Sequence, residues 1–259
     1  MRGPSGVVAL VLAETAVGGT AVLWLGGFWG HVKRGFFILT TSVTAGCALL
    51  ATTSSASGLG PTGGSAGDLG VILTGVSAIA LGTSLCALIL RWSTLGRILG
   101  FLGAASGAAG LVSLARVVTP SFPVAIIQLL AGAAFMGAVM VGLLLGHWYL
   151  TDRRLSREHI RRLAVVLLAA VGIEIGAVLL AGFGGVESAP GFSPFLSIGG
   201  IATWLALGMV GATALIAVLI RASLRGTEAR AVQAATGFFY LAVITAFAGE
   251  MAAKVRFIG

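Results

Sequence analysis

Residues 123–162 read PVAIIQLLAGAAFMGAVMVGLLLGHWYLTDRRLSREHIRR. From 123 to 150 there is no Asp, Glu, Lys or Arg, and then five arginines (Arg153, Arg154, Arg157, Arg161, Arg162) crowd the next stretch. A surface helix of a soluble domain would present one apolar stripe and one polar face. This run is apolar on every side and longer than the roughly 20 residues that cross a bilayer. Trp148 and Tyr149 stand at its boundary, where aromatic rings gather at a membrane–water interface. The stretch therefore reads as a membrane-spanning helix followed by a basic loop.

The same pattern repeats in both directions from this segment. Spanning helices are expected over 6–28, 34–54, 70–91, 97–117, 123–150, 163–183, 196–220 and 231–252. Composition agrees: 58% of residues are hydrophobic and 9% charged, with a mean hydropathy of +1.06, whereas a soluble domain carries about 25% charged residues. In lipid every backbone group must be satisfied internally, so the spans are helices, and the alternation of a membrane barrel is absent. The expected fold class is all-α, a polytopic integral membrane protein with about eight transmembrane helices and no soluble domain. The first segment carries Glu14 and lacks a basic leader beyond Arg2, so it reads as a retained helix rather than a cleaved signal. The longer connectors, 55–69 and 184–195, are rich in Gly, Ser and Pro and lack the patterning to fold alone.

The distribution of basic residues predicts the orientation. The connectors after the first, third, fifth and seventh spans hold 12 of the 16 Lys and Arg residues. The positive-inside rule places them, including the 151–162 loop, in the cytoplasm and both termini outside, as expected of a bacterial cytoplasmic membrane protein. Trp29, Trp92, Trp148 and Tyr149 fall at the same inner boundary.

Short likenesses recur four spans apart. Ala87-Leu88-Ile89-Leu90-Arg91-Trp92-Ser93 closes the third span as Ala217-Val218-Leu219-Ile220-Arg221-Ala222-Ser223 closes the seventh, and Gly30-His31 matches Gly146-His147. They predict two four-helix halves, 1–122 and 123–259, related by a parallel duplication within a single membrane domain. In the fourth span Gly100, Gly103, Gly107 and Gly110 share one face, which predicts a close-packing groove.

Several chemistries are excluded. The net charge of +8 is spread between apolar runs, as topology signals are, so nucleic acid is not a partner. Cys47 and Cys86 lie inside spans without metal-ligand spacing, and no metal site is expected. No phosphate-binding Gly-rich loop, HExxH or GxSxG is present, so the chain is not a hydrolase or NTPase acting alone.

Ionisable groups within spans are functional candidates, because each costs several kcal/mol to bury. Glu174 lies near mid-membrane, Glu14 in the outer half of the first span, and Glu250 near the outer end of the eighth, where it reaches water. Arg116, at the outer end of the fourth span, is a candidate partner for one of them. A carboxylate there would accept a proton released on quinol oxidation; the structural alternative is a Glu–Arg or Glu–Lys pair that ties helices together. At least one of Glu14 and Glu174 is expected to face the bundle interior without a tight basic partner. His31 and His147, at repeat-related inner positions, are candidate ligands of haem b, for which imidazole is the usual axial group. His159 falls in the basic loop.

The C-terminal Gly249-Glu250-Met251-Ala252-Ala253-Lys254, together with the helix number, the four-plus-four arrangement and the small loops, resembles membrane anchors of the polysulfide-reductase type. The resemblance implies a quinone-interacting subunit of a respiratory redox complex, exchanging electrons with a soluble oxidoreductase partner. The alternatives are an ion-coupled transporter, with Glu174 and Glu14 as coupling sites, or a structural or assembly subunit.

Overall fold

The computed structural model describes residues 3–28, 31–58, 64–118, 121–152, 155–183, 200–226, 229–255 and 257. Its helices are α1 (Gly3–Leu25), α2 (Arg34–Gly58), α3 (Gly64–Ile89), α4 (Ser93–Val118), α5 (Phe122–Thr151), α6 (Glu158–Leu180), α7 (Ile201–Ser223) and α8 (Ala229–Val255). Each contains a stretch long and apolar enough to cross a membrane, and the described residues include no strand. The chain is an all-α polytopic integral membrane protein. Arg153, Arg154, Trp29, Arg256 and all of the 184–195 connector lie outside the described residues.

Helix ends depart from the sequence expectation where polar residues prolong a helix. α6 begins at Glu158 rather than 163, because Glu and Arg are good helix formers and Glu158 suits the N-terminal dipole. Glu158 also accepts from the Arg162 Nε at 2.9 Å, one turn on. α3 gains a turn before residue 70, held by the Ser113 hydroxyl donating to the Ala66 carbonyl at 2.9 Å. α1 stops at Leu25 instead of 28, since Gly27 turns left-handed with φ +70°. α8 runs on through Ala252 and Ala253 to Val255, which takes Lys254 into the helix.

Consecutive helices pack side by side, and in each half the fourth helix returns to the first: α4 lies on α1 and α8 on α5. Both halves therefore form a ring of four, and the rings meet along α1 and α5, the two most enclosed helices. That seam is a contact of backbones. A Cβ on Gly137 would come within 2.2 Å of the Gly18 carbonyl carbon. Without a hydrophobic drive between helices in lipid, such close approach supplies the dispersion contact that holds them.

The glycine face of α4 serves the expected packing. A Cβ at Gly103 or Gly110 would strike α3, and one at Gly100 or Gly107 would strike Trp24 or Val17 of α1. Serines add hydrogen bonds at the same contacts: Ser77 donates to the Gly103 carbonyl at 2.7 Å and Ser84 to the Gly96 carbonyl at 2.6 Å. At the end of the bundle bearing the α3–α4 and α7–α8 connectors (the basic end, below) aromatic rings fill the core. Trp24 stacks on Phe37 at 5.4 Å, and Phe28 meets Phe36 at 5.6 Å. Leu50, Ile72, Ile79, Leu215 and Ile244 face outward, as lipid contacts do.

Candidate functional site

Glu250 and Lys254 stand one turn apart on α8, so both project from the same side of the helix. That side faces α1 and α5. The Lys254 ammonium lies 2.8 Å from Glu250 Oε2 and 3.0 Å from Glu14 Oε1, and it donates to the Gln128 carbonyl of α5 at 3.2 Å. Glu250 Oε2 and the Gln128 carbonyl accept hydrogen bonds from the ammonium, while Glu14 Oε1 sits at ion-pair distance. Glu14, Glu250 and Lys254 are fully buried, at 0% exposure. Gly132, one turn along α5 from Gln128, makes the room: a Cβ there would come 2.7 Å from Glu250 Oε2 and 2.8 Å from Glu14 Oε1.

Glu174 of α6 is also at 0% exposure and lies close enough to interact electrostatically with Glu14 and Lys254. Two carboxyls thus flank one ammonium in the interior, at the seam of the two rings, and a third buried carboxyl lies within electrostatic range. Fully ionised, the group would carry two uncompensated negative charges. Burying unpaired charge costs several kcal/mol per ion, so the cluster is nearest neutrality when two of its carboxyls hold protons. Among the described residues, the Gln128 side-chain amide, both Glu14 carboxyl oxygens and Glu250 Oε1 are buried without a hydrogen bond. They leave the cluster with donor and acceptor capacity to spare.

The three candidate acids therefore lie in one region, and two expectations about them need correction. Glu250 does not reach water; the continuation of α8 carries it and Lys254 inside. The basic partner of Glu14 is Lys254 rather than Arg116. Arg116 is exposed, its guanidinium 5.4 Å from the Phe122 ring, and it makes no ion pair with the acids among the described residues. Lys254, Gln128 and Gly132 went unread as site residues. The Glu250–Lys254 spacing and an amide inside the span of residues 123–150 were the available signals.

The histidines occupy the basic end. His31, on the α1–α2 turn, meets His159 with ring centroids 5.4 Å apart, whereas His147 of α5 lies 3.5 Å from the Tyr240 hydroxyl of α8. His159 is not a loop residue: it sits in the first turn of α6, buried at 6% exposure against Phe28, and its Nδ1 has no hydrogen-bond partner among the described residues. It lines one mouth of an apolar cavity of about 570 Å³ between α1, α5 and α6. The cavity continues past Gly18 and Ala170 to Val17, Ala133 and Ile173. Val17 is thus one turn of α1 from Glu14, and Ala133 and Ile173 are the chain neighbours of Gly132 and Glu174, though none of the cluster residues lines the cavity. No protein-family model and no curated protein matches the chain.

Proposed function

We propose that the chain is the membrane subunit of a quinone-linked redox complex, with the Glu14–Glu174–Glu250–Lys254 cluster as its proton-exchanging element. The observation that carries this reading is the imbalance of three buried carboxyls against one buried ammonium. A structural tie between helices needs one acid for each base. An excess of acids at a fixed site is a place where protons are stored and passed on.

The neighbouring cavity supports the same reading. Its volume falls within the roughly 300–1,000 Å³ of small-molecule sites, its walls are almost wholly apolar, and its lining includes Ile173 and Ala133, the chain neighbours of Glu174 and Gly132. Oxidation of a quinol held there releases two electrons and two protons. The electrons leave to a redox centre on a partner subunit, and the carboxyls receive the protons. The likeness of the C-terminal segment to quinone-interacting anchors points the same way. A second reading, ion-coupled transport, draws on the paired rings and on a charged site at their interface, a place where duplicated transporters bind their coupling ions.

The test uses the complex isolated from its native membrane through a tag on this chain. Glu14→Gln and Glu174→Gln keep shape and remove proton exchange. At least one is expected to lower quinol-linked turnover by about 100-fold or more, the scale of a general acid–base group, with subunit composition unchanged. A chain that isolates alone and drives proton-coupled uptake in liposomes supports transport instead. Variants that block assembly while surviving complexes turn over normally make the acids structural.

A further inference from the structure

At the basic end, α6 and α7 line a second cavity, of about 420 Å³, which shares only Arg162 with the quinone-sized one. Arg161 and Arg162 line it from α6, and Arg221 and Arg225 from the end of α7. Its carboxylate, Glu158, is engaged by Arg162 at 2.9 Å. The Arg161 Nε donates to the Leu224 carbonyl at 3.1 Å, which pins that guanidinium across the gap between the two helices. The pocket therefore carries a net charge of about +3, with guanidinium groups arranged on two walls.

What lies beside the arginines is apolar. Val165, one turn along α6 from Arg161, also lines the pocket and is 48% exposed; on α7, Val218 and Leu215 face outward in the turns before Arg221. A ligand for this place has an anionic head and a hydrocarbon body, and the apolar flank separates it from a free inorganic anion. We infer that this pocket is a binding site for an anionic phospholipid, with a two-phosphate headgroup of the cardiolipin type favoured over a single phosphate. Two phosphodiesters balance two of the three excess positive charges where one balances a third of them. Guanidinium forks bind phosphate oxygens in pairs, and basic pockets between transmembrane helices recognise such heads. Arg162 also lines the apolar cavity, but the inference does not need the quinone reading, since it rests on the α6–α7 arginines and none of them belongs to the carboxylate cluster.

The experiment measures lipid retention and thermal stability of the full chain in detergent, with added two-phosphate lipid, single-phosphate lipid, zwitterionic lipid or inorganic phosphate. The two-phosphate lipid is expected to bind at the lowest concentration and to raise Tm. Arg221→Gln with Arg225→Gln is expected to weaken it about thirtyfold, which corresponds to about 2 kcal/mol at about 1 kcal/mol per arginine. Photo-crosslinking of the same lipid to the unsubstituted chain, mapped to residues 158–165 and 221–225, gives a readout that needs no variant. Equal retention of zwitterionic lipid, crosslinks elsewhere, or an unchanged affinity in the double variant overturns the inference. Stabilisation by phosphate alone makes the pocket a free-anion site and overturns it as well.

Discussion

Lys254 decides what the carboxylate cluster can do. Its ammonium is held by two carboxylates and a main-chain carbonyl, all away from solvent. Removing one partner of a buried ion pair leaves charge without compensation and costs about 3–5 kcal/mol. Lys254→Met is therefore expected to lower Tm sharply. The same substitution combined with Glu14→Gln and Glu250→Gln removes the charges together and is expected to recover much of the loss, because replacing a whole buried pair by neutral groups is often close to neutral. Thermal unfolding in detergent compares the two; a triple variant as unstable as Lys254→Met would show that packing of the lysine stem, not charge, holds the site. At this scale the sequence was informative about the acids alone. Glu14, Glu174 and Glu250 stood out because charge inside an apolar run is costly. Lys254 was hidden by a span ended at 252, which left it among the solvent-facing charges of the terminus.

The helices themselves were legible because each apolar run exceeds the bilayer thickness, and their centres coincide with the observed elements. Their ends were less so: Glu158 and Arg162 look like loop residues by polarity, yet they pair within the first turn of α6. The packing of helix on helix was legible only where glycines cluster, as on α4. The chain has 40 glycines, and nothing in the sequence marks Gly18 and Gly137 as the pair where α1 and α5 touch. A Cβ on Gly137 would lie 2.2 Å from the backbone of Gly18, whereas one on Gly172 of α6 meets nothing within 4 Å. The two substitutions to alanine are expected to have opposite signs. Gly137→Ala separates the rings and costs about 1–3 kcal/mol by overpacking. Gly172→Ala gains helix propensity, up to about 1 kcal/mol. Measured Tm values that move together would mean that the seam yields without cost and that the rings are held elsewhere.

At the scale of the molecule, charge and chemistry are segregated along the bundle. The exposed arginines of the α6 and α7 ends, the Lys33–Asp152 pair at 2.9 Å and the histidines share the basic end; the carboxylate cluster lies beyond the aromatic core, toward the opposite end. His159 and Glu174 are both on α6 and about 22 Å apart at 1.5 Å per residue, so the apolar cavity spans most of the distance between the two regions. With the basic end in the cytoplasm, as the concentration of Lys and Arg there predicts, a proton leaving the cluster has the shorter path to the outside. Orientation thus decides whether proton release by this chain would add to a transmembrane gradient or dissipate it. Labelling with an impermeant thiol reagent tests it, in a background where Cys47 and Cys86 are replaced by Ala. A cysteine at Ser156, on the connector before α6, is expected to react only after the membrane is opened. One at Ser65, in the first turn of α3, is expected to react in intact cells. If Ser156→Cys labels from outside while Ser65→Cys is protected, the bundle is inserted the other way. The cluster would then face the cytoplasm, and quinol oxidation at this site would deliver its protons to the side from which a respiratory chain draws them.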